Sequence, residues 1–356
     1  MASSNTLAIV TGAAGWLGRG LVHALVEGVD ARALEGLPKA RRVRCLILPD
    51  EDDAELKSLG VEIERGDVRN PEDCARLCRD AAGASLFHSA GVVHPQRVRD
   101  FRDINTQGTI NVLTAAESVG VRRAVIVSSN SPIGTNPSPD HVFDEQSPYS
   151  PYMGYGKSKM EMELAVRSFT ERGKLQTVVV RPPWFYGPYQ PPRQTLFFEM
   201  IRDGKGPVVG GGENRRSMAY IDNLCQGLLL ADARDAAAGG TYWIADERPY
   251  TMNEILDTVE RLLEQEFGIP CKHGRLRLPG LASQVAWLCD WSMQAVGLYH
   301  QKIHVLSEMN KTIACSVEKA KAELGYRPEI ALEEGMRRSI AWCIRQGLLS
   351  VPERQD

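Results

Sequence analysis

The stretch TGAAGWLG at residues 11–18 decides the fold, because it joins a short apolar run to a helical pattern. The apolar run is residues 7–10, and Leu17, Leu21 and Leu25 follow the turn at helical spacing. In such a strand–turn–helix unit, backbone N–H groups and the helix N-terminus can hold a pyrophosphate. The stretch therefore predicts a nucleotide-binding turn, although three glycines can also form a plain turn.

Each glycine of this turn has a separate predicted role. Gly12 permits a tight turn, Gly15 allows a phosphate to approach, and Gly18 lets the helix pack closely on the strand. The spacing GxxGxxG is one residue longer than the GxGxxG dinucleotide fingerprint. The other cofactor candidates in the turn are Ala14, Trp16 and Leu17.

Strand and helix patterns alternate from this unit to about residue 182. The predicted strands are residues 43–48, 61–64, 85–88, 124–127 and 177–180, and predicted helices include residues 105–119 and 155–172. Parallel strands need crossover helices, so this alternation predicts an α/β fold with a Rossmann-type, doubly wound parallel sheet.

Residues 1–182 are thus the predicted cofactor domain, and residues 183–356 mainly a smaller, helix-rich C-terminal substrate domain. Pro- and Gly-rich turns mark the change after Pro182. We expect residues 217–246 to return to the cofactor domain. Helical patterns in the later part cover residues 253–267, 281–296, 316–324 and 332–346.

The composition is that of a globular protein with a sizeable core. The 356 residues are 43% hydrophobic and 24% charged, which excludes wholesale disorder and fibrous repeats. With 42 Lys and Arg against 45 Asp and Glu, the net charge of −3 gives no basic excess that would indicate binding to nucleic acid or an anionic membrane.

Cysteine usage and the apolar segments indicate a cytoplasmic protein. The eight cysteines include no CxxC pair, which favours structural thiols and no metal site. Residues 1–6 lack the cationic start of a signal sequence, and residues 278–299 are too interrupted to span a membrane. We therefore expect no transmembrane segment, and residues 278–299 are predicted to form an amphipathic helix.

The end of the second predicted strand bears on the cofactor. It is followed by the acidic run from Asp50 to Asp53, and no Arg stands at its tip, although Arg41, Arg42 and Arg44 are near. A carboxylate there bonds ribose hydroxyls and repels a 2′-phosphate. We expect NAD with Asp50 near the ribose, and NADP is the alternative.

Asp67 follows the third predicted strand and is a candidate acceptor for the adenine amino group, with Val68 beside it. A helix-initiating or turn aspartate is an equally good interpretation of that position.

Tyr155 and Lys159 form the catalytic candidate, since residues four apart share one helix face. A phenol normally has a pKa of about 10, and a nearby ammonium lowers it. Ser128 and Ser129 end the fifth predicted strand, at the edge where open α/β sheets bind ligands. A serine hydroxyl there can hold the reacting oxygen.

Taken together, these motifs resemble those of the extended short-chain dehydrogenases/reductases, in the NAD-dependent epimerase/dehydratase and 3β-hydroxysteroid dehydrogenase group. The similarity covers nearly the whole chain. Besides the glycine turn it includes GDV at 66–68, HSAG at 88–91, NTQGT at 105–109, VSSNSPIG at 127–134, YGKSK at 155–159, VRPPWFYGP at 180–188 and RRSMAYIDN at 215–223.

The resemblance implies a Ser129, Tyr155 and Lys159 triad, with Lys159 also bonding the nicotinamide ribose. Asn105 matches a family asparagine, although a helix-packing role is equally compatible with its position. Ser128 is the reserve candidate for the triad serine. The further residues that the resemblance places at the cofactor are Ser89, Ala90, Gly91, Ser128 and Pro182.

Three differences from the family bear on substrate. Dehydratases carry Thr-Asp-Glu where this chain has Ser129-Asn130-Ser131, so elimination of water is not expected. Trp184 replaces an asparagine found in many nucleotide-sugar enzymes, whereas Arg216 lies where epimerases hold a diphosphate. Other substrate candidates are His94, Tyr186 and the aromatic residues Phe185, Tyr189, Trp287 and Trp291.

The sequence thus predicts an oxidoreductase that interconverts a secondary alcohol and ketone on a cyclic, sterol-like small molecule. A nucleotide-sugar 4-epimerase with tightly bound NAD is the alternative, and an inactive cofactor-sensing protein is the third hypothesis. The oligomeric state is open, with a homodimer as the candidate assembly.

Overall fold

Seven parallel strands form the central sheet of the protein, which a computed structural model describes over residues 7–37 and 42–350. The strands in those ranges are β1 (Leu7–Thr11), β2 (Arg42–Ile47), β3 (Glu62–Arg65), β4 (Ser85–His88), β5 (Arg123–Val127), β6 (Gln176–Arg181), β7 (Trp184–Tyr186), β8 (Gly206–Val209), β9 (Arg215–Arg216), β10 (Met218–Tyr220), β11 (Thr241–Trp243), β12 (Tyr250–Thr251) and β13 (Arg275–Leu278).

The α-helices alternate with these strands and then dominate the later chain. They are α1 (Trp16–Val26), α2 (Ala54–Ser58), α3 (Pro71–Leu77), α4 (Thr109–Val119), α5 (Met153–Arg172), α6 (Pro192–Arg202), α7 (Ile221–Ala233), α8 (Met252–Gln265), α9 (Gly280–Ala295), α10 (Gln301–Glu308), α11 (Glu318–Leu324) and α12 (Leu332–Arg345).

The central sheet has the order β11-β6-β5-β4-β1-β2-β3, and every neighbouring pair is parallel. The chain reverses its direction of winding between β1 and β4, which is where open α/β sheets form a ligand crevice. This architecture confirms the predicted Rossmann-type, doubly wound fold.

The chain returns to the sheet after leaving it at Arg181. β11 pairs with β6, and α7 packs against β5 and β6. The intervening and later segments form three two-stranded sheets, β7 with β10, β8 with β13 and β9 with β12, among the later helices. The C-terminal part therefore contains short strands as well as the predicted helices.

Two apolar clusters lie on the opposite faces of the sheet, because strands buried on both sides carry apolar residues in succession. In β1, for example, Val10 packs in one cluster and Ile9 in the other. Both side chains are completely buried.

The helix predicted over residues 105–119 is not a single α-helix. Residues Phe101–Gly108 form a π-helical segment, and only α4 has α-helical geometry. π-Helical turns are rare and often occur at functional sites. Residues 1–6 and Arg41, which the sequence analysis used, lie outside the described residues.

The described residues contain neither a membrane-spanning helix nor a cluster of metal ligands. No helix there has the length and apolarity needed to cross a bilayer. Within residues 7–37 and 42–350, no three His, Cys, Asp or Glu side chains are grouped so that they can hold a metal ion.

Candidate active site

The glycine turn between β1 and α1 has the backbone geometry that only glycine tolerates. Gly12 has a φ of +70°, and a Cβ there would lie 2.7 Å from the Ala90 nitrogen. A Cβ on Gly18 would lie 2.0 Å from the Gly12 oxygen, so the helix packs directly on the turn. Gly15 is exposed and is the N-cap of α1, whose first amide groups have no side-chain cap.

The neighbouring residues of the turn have structural contacts of their own. The Trp16 indole donates a hydrogen bond to the Pro188 carbonyl at 2.7 Å and packs on Phe185 at 4.7 Å. Arg19 donates to the Ala14 carbonyl at 3.0 Å, and Leu17 is buried. These contacts tie the turn to the loop that follows β7.

The end of β4 lies directly beside this turn. The Ser89 hydroxyl donates to the Thr11 carbonyl at 2.7 Å, and the Ala90 N–H donates to the Thr11 hydroxyl at 3.3 Å. His88 is buried between the hydroxyls of Thr11 and Thr109, at 2.7 and 2.8 Å. Sequence analysis missed this role of Thr11 and Thr109, because the bonds join residues far apart in the chain.

Tyr155 and Ser129 come together at the carboxyl edge of the sheet. Burial raises the pKa of Tyr155 to about 12, the nearby Ser129 hydroxyl acts to lower it, and the Glu308 carboxylate raises it further. The lowered pKa predicted from the spacing of Tyr155 and Lys159 is therefore wrong in this structure, where burial dominates.

Lys159 is buried beside Gly91 at the end of β4. Its ammonium donates to the Val127 carbonyl at 3.0 Å, and a Cβ on Gly91 would lie 3.4 Å from its Nζ. Burial lowers the pKa of Lys159 to about 8, against the opposing effect of the Glu163 charge. Glycine at position 91 thus leaves room for the lysine head group.

Asn105 lies in the π-helical segment and connects three parts of the site. Its amide oxygen accepts from the Val92 N–H at 2.8 Å, and its amide nitrogen donates to the Val92 carbonyl and the Ser158 hydroxyl, both at 3.0 Å. The side chain is fully buried. Asn105 therefore holds the loop after β4 against α5, which is the packing role left open by the sequence.

Ser128 is engaged elsewhere and is not a free substitute for Ser129. Its hydroxyl donates to the Glu163 carboxylate at 2.5 Å. The same carboxylate accepts from the Tyr149 hydroxyl at 2.8 Å and from Arg181 at 3.0 and 2.6 Å. This buried Glu163–Arg181 pair joins α5 to the end of β6, and the sequence did not predict it.

The tip of β2 carries an arginine after all, although it comes from the neighbouring strand. Arg65 at the end of β3 donates to the Pro49 carbonyl at 2.6 Å and pairs with the Asp53 carboxylate. The segment after β2 itself has no arginine, as expected, and Arg65 reaches its tip from β3 because adjacent parallel strands end side by side. Asp50 is exposed, whereas Glu51 accepts from the Leu48 N–H at 2.8 Å.

The two arginines of β2, Arg42 and Arg44, point away from the carboxyl edge of the sheet. Arg42 and Arg44 both donate to the Glu62 carboxylate, and Arg44 also donates to the carbonyls of Leu77 and Arg79. Arg65 is thus the cation of this group that is placed at the strand tip.

Asp67 and Val68 follow β3 at the same edge. The Asp67 carboxylate accepts two bonds from the Arg69 guanidinium, at 2.9 and 2.5 Å. Burial acts to raise its pKa, but the bonds from Arg69 outweigh it and lower the pKa. Val68 is buried against Gly108, where a Cβ would lie 2.7 Å from its side chain.

The predicted substrate residues occupy different environments. Tyr186 is wrongly predicted, since it is fully buried and donates to Asp246 at 2.8 Å. Trp184 is half-buried against Phe197 at 5.7 Å. Asn130 and Ser131 lie beside Ser129, each with a side-chain oxygen 3.4 Å from its hydroxyl. Pro182 is buried directly after β6.

The other aromatic pocket candidates are also placed by the structure. Phe185 packs on Trp16 and Tyr189 stacks on His23 at 4.8 Å, so both belong to the packing around α1. Trp287 and Trp291 are exposed on α9. Sequence alone did not distinguish these positions, because aromatic residues serve cores and pockets equally.

Arg216 is half-buried and incompletely paired. One of its terminal nitrogens donates to the Glu308 carbonyl at 2.5 Å. Its Nε is buried with no partner among the described residues. Burial lowers the pKa of Arg216, and the nearby Glu308 and Tyr152 oppose that effect.

Helix α10 and the loop before it bring further polar groups to this region. His94 bonds the Tyr299 hydroxyl at 2.7 Å, and burial lowers the pKa of His94 to about 4. His304 bonds the buried Asp290 at 2.7 Å, and Tyr152 bonds Ser307 at 2.7 Å. Sequence analysis missed these partners because they come from a distant part of the chain.

The residues present fit a dinucleotide. The uncapped start of α1, the absence of a Cβ at Gly12 and Gly15, and the buried Lys159 beside Gly91 leave polar groups and space along one edge of the sheet. Donors at a helix N-terminus suit a pyrophosphate, and an ammonium suits ribose hydroxyls.

Comparison with known proteins agrees with this geometry. The model of the NAD dependent epimerase/dehydratase family matches residues 8–245. An uncharacterised protein of Sinorhizobium fredii is 53% identical over 343 residues, or 96% of each chain. The 3beta-hydroxysteroid-dehydrogenase/decarboxylase isoform 1 of Arabidopsis thaliana is 28% identical over 93% of this chain and 78% of its own.

Among solved structures, the dTDP-glucose 4,6-dehydratase of Streptomyces venezuelae with NAD bound has a TM-score of 0.75. It is 26% identical, and the match covers 95% of this chain and 97% of that one. The chain therefore belongs to the NAD-dependent epimerase/dehydratase family, within the extended short-chain dehydrogenase/reductase enzymes.

Proposed function

We propose that the protein is an NAD-dependent oxidoreductase that interconverts a secondary alcohol and a ketone on an apolar, cyclic substrate. The observation that carries this proposal is the aromatic environment of Tyr155. Phe101 lies 6.0 Å from the Tyr155 ring, and Tyr299 meets Phe101 edge-on at 5.7 Å. Apolar walls with a few convergent polar groups are typical of small-molecule sites.

Ser129 and Tyr155, beside these rings, have the groups that the reaction requires. The bound nicotinamide would supply or accept the hydride. Ser129 would hold the reacting oxygen, and Tyr155 would pass its proton to that oxygen. A phenol with a pKa of about 12 is protonated at neutral pH, so the neutral Tyr155 side chain is suited to donate a proton to a ketone.

Loss of water is not supported by the residues beside Ser129. Dehydration needs a carboxylic acid and a base near the reacting carbon, whereas Asn130 and Ser131 provide an amide and a hydroxyl. The likeness to a dehydratase structure is thus a likeness of fold. The Arabidopsis relative is named as a dehydrogenase and matches most of this chain, which favours alcohol oxidation or ketone reduction.

A nucleotide-sugar 4-epimerase is the second candidate, because Arg216 has an unpartnered, buried Nε. A diphosphate is the kind of anion that such a group can bind. The Glu308 carboxylate beside Arg216 opposes this second function, since it repels an anion. We therefore rank the epimerase below the dehydrogenase.

The test is to incubate the purified protein with NAD or NADH and two substrate panels. One panel contains alicyclic secondary alcohols and ketones, and the other UDP- and dTDP-sugars. We expect stoichiometric change in nicotinamide absorbance with a member of the first panel. Sugar epimerisation without net nicotinamide change would contradict the proposal and establish the second candidate.

Two substitutions separate the candidates by binding. If the substrate is an uncharged alicyclic alcohol, Trp184→Ala should remove about 2–3 kcal/mol of apolar contact and Arg216→Met should have little effect. If it is a nucleotide sugar, Arg216→Met should cost about 2 kcal/mol or more of binding, because charge-assisted bonds are lost. Isothermal titration with each substrate measures both, and we expect the first pattern.

Cofactor choice gives a further prediction at the tip of β2. We expect NAD to bind more tightly than NADP, because the Asp53 carboxylate is paired with Arg65 and the acidic run from Asp50 to Asp53 follows β2. Asp53→Asn should release Arg65 and improve NADP binding relative to NAD by about threefold. Asp52→Asn is the matched control, since Asp52 only caps the Ala54 N–H. An unchanged ratio in Asp53→Asn would show that Arg65 does not reach the 2′-phosphate.

A further inference from the structure

Helix α9 and the loop after it present an apolar face to solvent. Leu281 is 68% exposed, Val285 61% and Val296 71%. We call this surface the α9 face, and its residues are Leu281, Val285, Trp287, Leu288, Trp291, Val296 and Leu298. Exposed apolar groups that cluster in this way mark interaction sites rather than ordinary surface.

Two polar residues of α9, Ser283 and Asp290, point inward, while large apolar residues of the helix are exposed. Ser283 donates to the Ser307 carbonyl at 2.8 Å, and the buried Asp290 bonds His304 at 2.7 Å. Asp290 is the single Asp, Glu, Lys or Arg in residues 278–299. The helix is thus anchored to α10 by Ser283 and Asp290, and its outer side is mainly apolar, with Gln284 and Ser292 as its exposed polar residues.

Cations stand at both ends of the α9 face. Arg277 precedes α9 and Lys302 lies at the start of α10. The bonds from Ser283 to Ser307 and from Asp290 to His304 show that α10 runs antiparallel to α9, which brings Lys302 near the end of α9. Both cations are exposed, and neither has an ion-pair partner within residues 7–37 and 42–350.

The same face borders an opening next to the candidate active site. A cavity of about 320 Å³ is lined by Trp287 and Gln284 of α9 and by Tyr152, which precedes α5. Tyr152 is three residues before Tyr155. A surface placed on the α9 face would therefore lie at the entrance of this cavity.

We propose that the α9 face docks on a lipid bilayer that carries anionic headgroups, with the helix lying in the interface rather than spanning it. Tryptophan and leucine on one helix face with flanking cations are the combination that binds such interfaces. The whole-chain net charge of −3 does not oppose this, since surface potentials are screened beyond about 10 Å and local charges decide.

A second copy of the chain is a poorer occupant of this face. The face contains no exposed carboxylate that would pair with Arg277 or Lys302 of another copy. A symmetric contact would thus bury cations without partners, which costs free energy. The bilayer supplies both an apolar layer and the opposite charge.

The experiment is flotation of the full-length protein with vesicles of phosphatidylcholine alone or mixed with phosphatidylglycerol. We expect binding to the mixed vesicles, weaker binding at high salt, and little binding to phosphatidylcholine alone. The double substitution Val285→Glu and Leu288→Glu should lower partitioning at least about tenfold, because it places charge in the apolar layer. Val26→Glu is the control, since Val26 is a 38% exposed apolar residue on α1.

A second measurement guards against variants that do not fold. Cys289 is the single exposed cysteine of the eight, and it lies on α9, so a polarity-sensitive label there reports on the face in the otherwise native chain. Its emission should shift to the blue with anionic vesicles. No shift and no flotation would overturn the proposal. A dimer seen by light scattering and abolished by the double substitution would instead assign the face to a second copy.

Discussion

Tyr155→Phe should lower turnover at least about a hundredfold, because the substitution removes the transferable proton and keeps the ring. The aromatic contact with Phe101 at 6.0 Å does not involve the hydroxyl, so packing is retained. The measurement is the initial rate of nicotinamide absorbance change with an alcohol or ketone that the wild-type enzyme accepts. NAD affinity, measured by calorimetry, should change little.

Tyr189→Phe is the matched control for this substitution, since Tyr189 stacks on His23 outside the site. It should retain turnover within about twofold, as expected for a substitution that removes no catalytic group. Wild-type turnover in Tyr155→Phe would contradict the assignment of the proton donor. Loss of NAD binding together with turnover would point to a damaged cofactor site instead.

Glu163→Gln should lower the free energy of unfolding by about 3 kcal/mol, because it leaves the buried Arg181 guanidinium without its counter-charge. The side chains of Glu163 and Arg181 are only 3% and 5% exposed. Arg181 already has one buried nitrogen with no partner among the described residues. No second carboxylate there pairs with Arg181 when the Glu163 charge is removed. Urea unfolding followed by circular dichroism measures the change.

The control for this prediction is Glu171→Gln near the exposed end of the same helix, which should alter stability by less than about 0.5 kcal/mol. A loss below about 1 kcal/mol in Glu163→Gln would mean that water or a rearranged partner compensates Arg181. The network would then contribute little to holding α5 against β6.

The glycine turn and the alternation of strands and helices were predictable because their signals are local. Gly12 and Gly18 occur where a strand pattern meets a helix pattern, and the structure shows steric reasons for both. Periodicity likewise placed β4 at residues 85–88 without error. The family motifs then indicated Ser129 and Tyr155, and in the structure the Ser129 hydroxyl is near enough to act on the pKa of Tyr155.

What the sequence did not predict depends on contacts between distant residues. Arg65 reaches the tip of β2 only because β3 lies beside it, and the burial that raises the pKa of Tyr155 arises only in the folded chain. Asp290 breaks an apolar run in the sequence, and only the packing of α10 shows that it points inward. Periodicity alone identifies a two-sided helix, but it does not show which side meets solvent.

Strand β11 joins the sheet late in the chain, and this affects both folding during synthesis and recombination of the gene. On the ribosome, the strands through Arg181 emerge first, and β6 keeps an open edge until Thr241–Trp243 arrives with α7. Open edges and uncovered sheet faces invite aggregation. A fragment that ends at residue 182 should therefore be poorly soluble. Genetic recombination with a single crossover at this point would likewise not transfer a complete cofactor domain to another protein.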